Sequence, residues 1–96
     1  MNDTPHRILV VDDEPSITEF VSYALKKEGF FTDVVDNGED ALAYLQSGNY
    51  DAAILDIMMP GMSGIDALVR ARESGVTLPI LLLTAKSEVR DKVAGL

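Results

Sequence analysis

Ten residues near the middle of the chain read Ala52-Ala53-Ile54-Leu55-Asp56-Ile57-Met58-Met59-Pro60-Gly61. They combine an apolar run with one carboxylate and then a turn. A short apolar run bounded by turn residues is typical of a strand buried on both faces, as in a parallel sheet. In open parallel sheets, ligands bind at the carboxyl ends of the strands. Because Asp56 ends such a run, it is the first candidate for the protein's chemistry.

Size and composition limit the classes of function. The 96 residues suffice for one small domain, and their 47% apolar share is ordinary for a globular protein. The apolar runs are too short to span a membrane and no signal peptide is evident, so we expect a soluble, cytoplasmic protein without membrane contact. The absence of cysteine excludes disulfides. A formal net charge of -8 disfavours direct DNA binding, so control of DNA would need another domain.

Strand and helix patterns alternate along the chain. Apolar runs predict strands at 8–11, 31–35, 52–55 and 80–83, the second at a sheet edge because polar residues interrupt it. Helices are predicted after Pro15, at 39–46, after Gly64 and after Ser87. The side chains expected to be buried on the first three helices are Ile17, Phe20, Val21, Ala24 and Leu25; Ala41, Leu42 and Leu45; and Ile65, Leu68 and Val69. This alternation predicts a doubly wound parallel sheet with helices on both faces.

Polar residues follow three of the four predicted strands: Asp12 and Asp13, Asp56, and Thr84. In a doubly wound sheet the first and third strands are neighbours, so their terminal carboxylates should meet. Two such charges about 4 Å apart repel by about 4 kcal/mol at an effective dielectric near 20, and a divalent cation relieves that repulsion. Oxygen ligands favour Mg2+, with Mn2+ possible and zinc disfavoured. Since Mg2+ usually binds phosphate oxygens as well, the pattern predicts a phosphate-handling site.

Each candidate has a role and a simpler alternative. Asp56 suits a nucleophile that forms an aspartyl phosphate, Thr84 can donate its hydroxyl to a phosphoryl oxygen, and the small Ala85 leaves room for the phosphate. Alternatively, Asp12 or Asp13 caps the helix at Pro15 and Thr84 is only a turn residue. The two glycines of the 60–64 loop either satisfy backbone geometry or permit close backbone approach beside the site.

Three motifs resemble the receiver domain of bacterial two-component response regulators. They are Ile8-Leu9-Val10-Val11-Asp12-Asp13-Glu14, Leu55-Asp56-Ile57-Met58-Met59-Pro60-Gly61-Met62-Ser63-Gly64 and Leu82-Leu83-Thr84-Ala85-Lys86. The resemblance extends over nearly the whole chain from Arg7, and it is greatest to regulators with a C-terminal winged-helix DNA-binding domain.

The resemblance implies a phospho-accepting signalling domain rather than a turnover enzyme. Asp56 would accept a phosphoryl group from a sensor histidine kinase. Asp13, Asp56 and the Met58 carbonyl would bind Mg2+ directly, with Asp12 acting through water. Thr84 would be the switch residue that couples phosphorylation to a dimerising face, giving a homodimer, and DNA would be contacted only through a further C-terminal domain.

A complete receiver also has a fifth strand, ending in a lysine, and a fifth helix, and neither is expected before Leu96. Lys86 does not match that lysine because it lies two residues after Thr84. We therefore expect residues 1–96 to form one incomplete receiver domain with sheet order 2-1-3-4. Either the chain is part of a longer one, or strand 80–83 associates with another chain through its exposed apolar edge.

Two other functions stay open at this point. One is an interaction or dimerisation module that cannot be phosphorylated because the lysine is missing. The other is a metal-dependent phosphatase with Asp56 as nucleophile. Phosphatases of the haloacid-dehalogenase type carry a second aspartate two residues after the nucleophile, where this chain has Met58. A dinucleotide-binding fold is disfavoured because no G-x-G-x-x-G follows the first strand.

Overall fold

Strands and helices alternate strictly along residues 6–83, the part of the chain that the computed structural model describes. The strands are β1 (Arg7–Val11), β2 (Phe31–Val35), β3 (Ala52–Asp56) and β4 (Ile80–Leu83). The helices are α1 (Pro15–Lys27), α2 (Gly38–Gln46) and α3 (Gly64–Glu73). The predicted helix after Ser87 lies outside the described residues.

The four strands form one parallel sheet in the order β2-β1-β3-β4, which confirms the predicted order. β1 lies between its two partners, with Val11 opposite both Val35 and Leu55. β2 is at an edge, as its polar residues predicted. Because β1 and β3 are adjacent and parallel, the residues that follow them emerge side by side at one end of the sheet.

The main core lies between the sheet and the helices α2 and α3. Leu9 and Leu55 contribute from the sheet, and Ala41 and Leu45 contribute from α2, each at most 1% exposed. Burying a leucine side chain of this kind stabilises a fold by about 1.5–3 kcal/mol. The predicted inward face of α2 is therefore confirmed, and it anchors α2 firmly on the sheet.

The predicted buried faces of α1 and α3 were partly wrong. Phe20 is 72% exposed on α1, while the buried residues of that helix are Thr18 and Ser22. The Ser22 and Thr32 hydroxyl oxygens lie 2.6 Å apart, so these small polar side chains form a satisfied contact between α1 and β2. A pattern that counts only apolar residues cannot detect such a contact.

On α3, Ile65 and Val69 are 47% and 49% exposed, and the helix instead buries Ala67 and Ala71. Alanine has a small side chain, which allows the helix backbone to lie close to the sheet. Among the helices of residues 6–83, none has the length and apolar character needed to cross a membrane.

Candidate functional site

Three carboxylates meet at the carboxyl ends of β1 and β3. Asp12, Asp13 and Asp56 each offer an oxygen, and these oxygens all lie within 4.8 Å of one another. Asp12 and Asp56 are only 3% and 6% exposed, whereas Asp13 is exposed. The structure thus brings together the three aspartates that the sequence pattern predicted to be neighbours.

The two buried carboxylates are oriented in the same way. Asp12 Oδ1 accepts a hydrogen bond from the Glu14 amide at 3.0 Å, and Asp56 Oδ1 accepts one from the Met58 amide at 3.3 Å. In both cases an aspartate side chain turns back on the backbone two residues later, a local arrangement that aspartate favours where a strand ends. Each strand end therefore fixes the direction of its own carboxylate.

Helix capping does not account for these aspartates. Helix α1 begins at Pro15, and its N-cap residue is Glu14, whose side chain makes no capping hydrogen bond. Neither Asp12 nor Asp13 occupies the cap position that the simpler alternative assigned to them. The proximity of the three carboxylates consequently needs a different explanation.

The loop between β3 and α3 is anchored beside the site at Met59 and at Gly64. The Gly64 amide donates to the Ile57 carbonyl at 3.0 Å, which closes the loop, and Met59 is 8% exposed in the core. Gly61 has a φ of 76°, which favours glycine, whereas a Cβ at Gly64 would overlap the Asp56 carbonyl oxygen. Gly61 therefore satisfies the backbone geometry of the turn, and Gly64 permits the close backbone approach beside the site.

The remaining predicted site residues lie in this loop or outside the described residues. Met58 lies two positions after Asp56 in the chain, and it is 56% exposed. Thr84 and Ala85 fall outside the described part of the chain. Leu83, the last described residue, pairs with Asp56 in the sheet, and its carbonyl accepts a hydrogen bond from the Ile57 amide at 2.9 Å.

A cleft of about 390 Å³ adjoins the cluster on the side of β2. Asp36 and Asp40 line it together with Asp12 and Asp13, so the negative potential extends beyond the three clustered aspartates. We did not predict these two residues as part of the site. Asp36 follows directly after β2, so the rule that identified the residues after β1 and β3 also applies to it.

The chemistry of these donors suits a hard divalent cation. The cluster offers carboxylate oxygens, two of them on buried residues whose repulsion a cation relieves. Such oxygens are the ligands of Mg2+, which binds through one or two carboxylates and completes its shell with water and phosphate oxygens. Fold and site together define a parallel α/β domain with a carboxylate cluster suited to Mg2+ at the carboxyl ends of neighbouring strands, where ligands bind in sheets of this kind.

Residues 8–96 match the response regulator receiver domain family, and the chain belongs to that family. Over 90 residues it is 46% identical to the transcriptional regulatory protein TcrA of Mycobacterium tuberculosis and 48% identical to DltR of Streptococcus agalactiae. These alignments cover 94% of this chain in both cases, but only 36% of TcrA and 40% of DltR. The chain therefore spans well under half the length of these relatives.

Solved receiver structures share the fold. The response regulator TrrA of Thermotoga maritima, in complex with Mg2+-BeF, superposes with a TM-score of 0.79 at 47% identity, covering 94% of this chain and 78% of that one. TrrA in complex with the histidine kinase ThkA gives a TM-score of 0.77 at 50% identity, covering 83% and 69%. The fold class and family expected from the motifs are both confirmed.

Proposed function

We propose that this chain is a phospho-accepting signalling domain in which Asp56 receives a phosphoryl group. The observation that carries this proposal is the cluster of Asp12, Asp13 and Asp56 at the adjoining ends of β1 and β3. Asp56 is the member that ends the central apolar strand and borders the closed loop after it. Membership of the receiver family supports the same assignment.

The residues that would hold Mg2+ are Asp13 and Asp56 with the Met58 carbonyl, and Asp12 acts through water. When bound, Mg2+ supplies positive charge next to the phosphoryl oxygens. The protein's own contribution is orientation: the Glu14 and Met58 amides each hold one carboxylate oxygen in place. The complex of the relative TrrA with Mg2+-BeF supports this cofactor.

The donor is a phosphohistidine on a sensor histidine kinase. A carboxylate oxygen of Asp56 forms a new bond to phosphorus while the bond between phosphorus and the imidazole nitrogen breaks. The electron pair of the broken bond stays on the imidazole nitrogen, and the ring leaves as neutral imidazole with one proton taken from solvent. The complex of TrrA with the kinase ThkA supports this class of partner.

The phosphoryl group carries about 1.5 to 2 negative charges and three strong acceptor oxygens. Because the Asp56 carboxylate loses its own charge on bonding to phosphorus, the net gain is at most about one negative charge. Thr84 responds as the switch residue by donating its hydroxyl to the phosphoryl group, and Ala85 leaves space beside it. The resulting shift favours a homodimer and controls DNA through a further C-terminal domain, as the transcriptional relatives suggest. The domain acts in the cytoplasm as a self-limiting switch rather than as a turnover enzyme.

Mass spectrometry after incubation with Mg2+ and acetyl phosphate tests the proposal. We expect an adduct of about 80 Da on the full chain, as one phosphoryl group adds, and expect it to be cleaved by alkali or hydroxylamine as an acyl phosphate is. The adduct should be absent in Asp56→Asn and in the presence of a chelator. Asp51→Asn is the matched control, since Asp51 is an exposed carboxylate that bonds the Arg7 amide at the start of β1, the opposite end of the strand.

Two results would overturn the proposal. Failure of the folded chain to form the adduct would favour the interaction module that cannot be phosphorylated. Steady hydrolysis of a small phosphate ester, lost in Asp56→Asn, would favour the phosphatase instead.

A further inference from the structure

The first residue of α2 contacts the loop that follows Asp56. Gly38 is buried, and a Cβ placed on it would lie 2.5 Å from the Met62 carbonyl oxygen and 2.8 Å from the Met62 Cβ. Real Cβ atoms essentially never approach other atoms this closely. Any side chain at position 38 therefore forces either the helix or the loop to move.

Helix α2 is the more firmly held of the two. Ala41 and Leu45 are 0% and 1% exposed in the core, so the helix cannot withdraw without opening it. Its N-terminus is also fixed, because Asn37 Oδ1 accepts a hydrogen bond from the Asp40 amide at 2.7 Å. The loop is anchored at Met59 and Gly64. Pro60 and Gly61 are exposed between these anchors, so the middle of the loop can shift more easily than the helix. Displacement by a side chain at position 38 should thus fall mainly on the loop.

A shift of the loop at Met62 can be transmitted to the proposed metal site, because only four positions separate Met62 from Met58. Met62 is joined through the loop to Met58, whose amide donates to Asp56 Oδ1 at 3.3 Å and whose carbonyl is a proposed Mg2+ ligand. We propose that Gly38 is a positioning residue for Mg2+ binding, acting through its contact with Met62 and not touching the ion itself. This inference rests on the proposed function of the site.

Gly38→Ala in the full chain tests this role, with Gly48→Ala as the matched control. Gly48 lies just beyond the other end of α2 with a φ of 81° and no other group within 4 Å of an added Cβ. Alanine there strains the backbone without meeting the loop. We expect both variants to melt at a lower temperature than the parent. Only Gly38→Ala should also bind Mg2+ more weakly, by about 10-fold, the effect typical of residues that orient metal ligands.

Mg2+ affinity is measured by NMR titration at a temperature where all variants are folded, following the Asp13 and Met58 amides. Met62→Ala is a second variant that adds no clash, because it only shortens the side chain on the loop. It should weaken Mg2+ binding in the same direction but by less than the roughly 10-fold expected for Gly38→Ala, because it removes a contact without forcing the loop to move.

The outcomes separate the inference from the function on which it rests. If the parent chain binds no Mg2+, the proposed site is wrong. If the parent binds Mg2+ and both Gly38→Ala and Met62→Ala bind it equally well, the site stands and the positioning role of Gly38 is refuted. Equal weakening in Gly48→Ala would also refute it, because the effect would then follow from lower stability alone.

Discussion

Gly64 begins helix α3 directly against the backbone of Asp56. A Cβ at Gly64 would overlap the Asp56 carbonyl oxygen, and it would lie 2.9 Å from the Asp56 carbonyl carbon and 3.1 Å from the Ile57 Cα. The same glycine donates its amide to the Ile57 carbonyl at 3.0 Å. The proposed phosphoryl acceptor and the start of α3 are therefore a single packed unit, with space for hydrogen and nothing larger.

Replacing Gly64 with alanine should be severely destabilising. The neighbouring atoms belong to the backbone of β3, so they cannot move aside as the end of a flexible side chain does. We expect the free energy of unfolding to fall by roughly 3 kcal/mol, the upper end for overpacking. Urea unfolding monitored by circular dichroism measures the change.

Gly75→Ala is the control at the other end of α3. Gly75 has a φ of 98° and no group within 4 Å of an added Cβ, so only backbone strain opposes alanine there. This strain costs about 1–2 kcal/mol. If the free energy of unfolding falls no more in Gly64→Ala than in Gly75→Ala, the close packing described for Gly64 is contradicted.

The strands and the central carboxylates were predictable from sequence for one physical reason. A strand buried on both faces needs a continuous apolar run, and the polar residue that ends the run marks the sheet edge. This reasoning identified β3 and Asp56, and the adjacency of β1 and β3 added Asp12 and Asp13. Asp36, at the end of β2, was missed because the second strand was considered only as an edge.

Contacts that depend on size and on hydroxyl pairing were not predictable. Hydrophobic periodicity placed Phe20 inside, but α1 turns Ser22 towards Thr32 instead. Likewise, the contact between Gly38 and Met62 joins two segments far apart in sequence, and no local pattern around either residue indicates it. Such contacts become visible only once the chain has been folded in three dimensions.

Asp12→Asn should stabilise the protein in the absence of Mg2+. Removing one of three clustered negative charges relieves repulsion, while an asparagine oxygen can still accept the hydrogen bond from the Glu14 amide. We expect a gain of roughly 1–2 kcal/mol, a fraction of the full repulsion between close charges. The gain should shrink as Mg2+ is added, because the ion stabilises the parent chain by binding its folded state.

Urea unfolding with and without Mg2+ measures how the gain in stability of Asp12→Asn changes. Asp51→Asn provides the comparison, because Asp51 bonds the Arg7 amide at the opposite end of β1. The difference in stability between Asp51→Asn and the parent should be the same with and without Mg2+. A loss of stability in Asp12→Asn without Mg2+ would show that repulsion within the cluster is not the dominant effect.

Tyr50 makes the stability of the fold sensitive to alkaline pH. Burial, followed by the hydrogen bond to Asp33, raises the pKa of Tyr50 above its usual value of 10.0. Its hydroxyl donates to Asp33 Oδ2 at 2.6 Å, and Arg7 Nη1 contacts the same oxygen at 3.3 Å. Above about pH 10 the unfolded chain loses this proton while the folded chain keeps it. Stability should therefore fall as the pH rises beyond 10.

Tyr50→Phe should remove this contribution to the fall in the free energy of unfolding above about pH 10. At neutral pH the variant should also be about 1 kcal/mol less stable, because Asp33 loses a hydrogen-bond donor. Urea unfolding between pH 7 and about pH 11 measures both effects. Tyr23→Phe is the matched control, since Tyr23 is 65% exposed on α1. An unchanged alkaline slope in Tyr50→Phe would contradict the assignment.

The hydroxyl contact between Ser22 and Thr32 should couple α1 to β2. The two oxygens lie 2.6 Å apart, and Ser22 is 7% exposed, so removing either partner leaves a poorly hydrated hydroxyl behind. We expect Ser22→Ala and Thr32→Val each to lose about 1–2 kcal/mol, and the double variant to lose less than their sum. A double-mutant cycle by urea unfolding gives the coupling energy, expected near 1 kcal/mol. Strict additivity would show that the two hydroxyls do not stabilise each other across the α1–β2 contact.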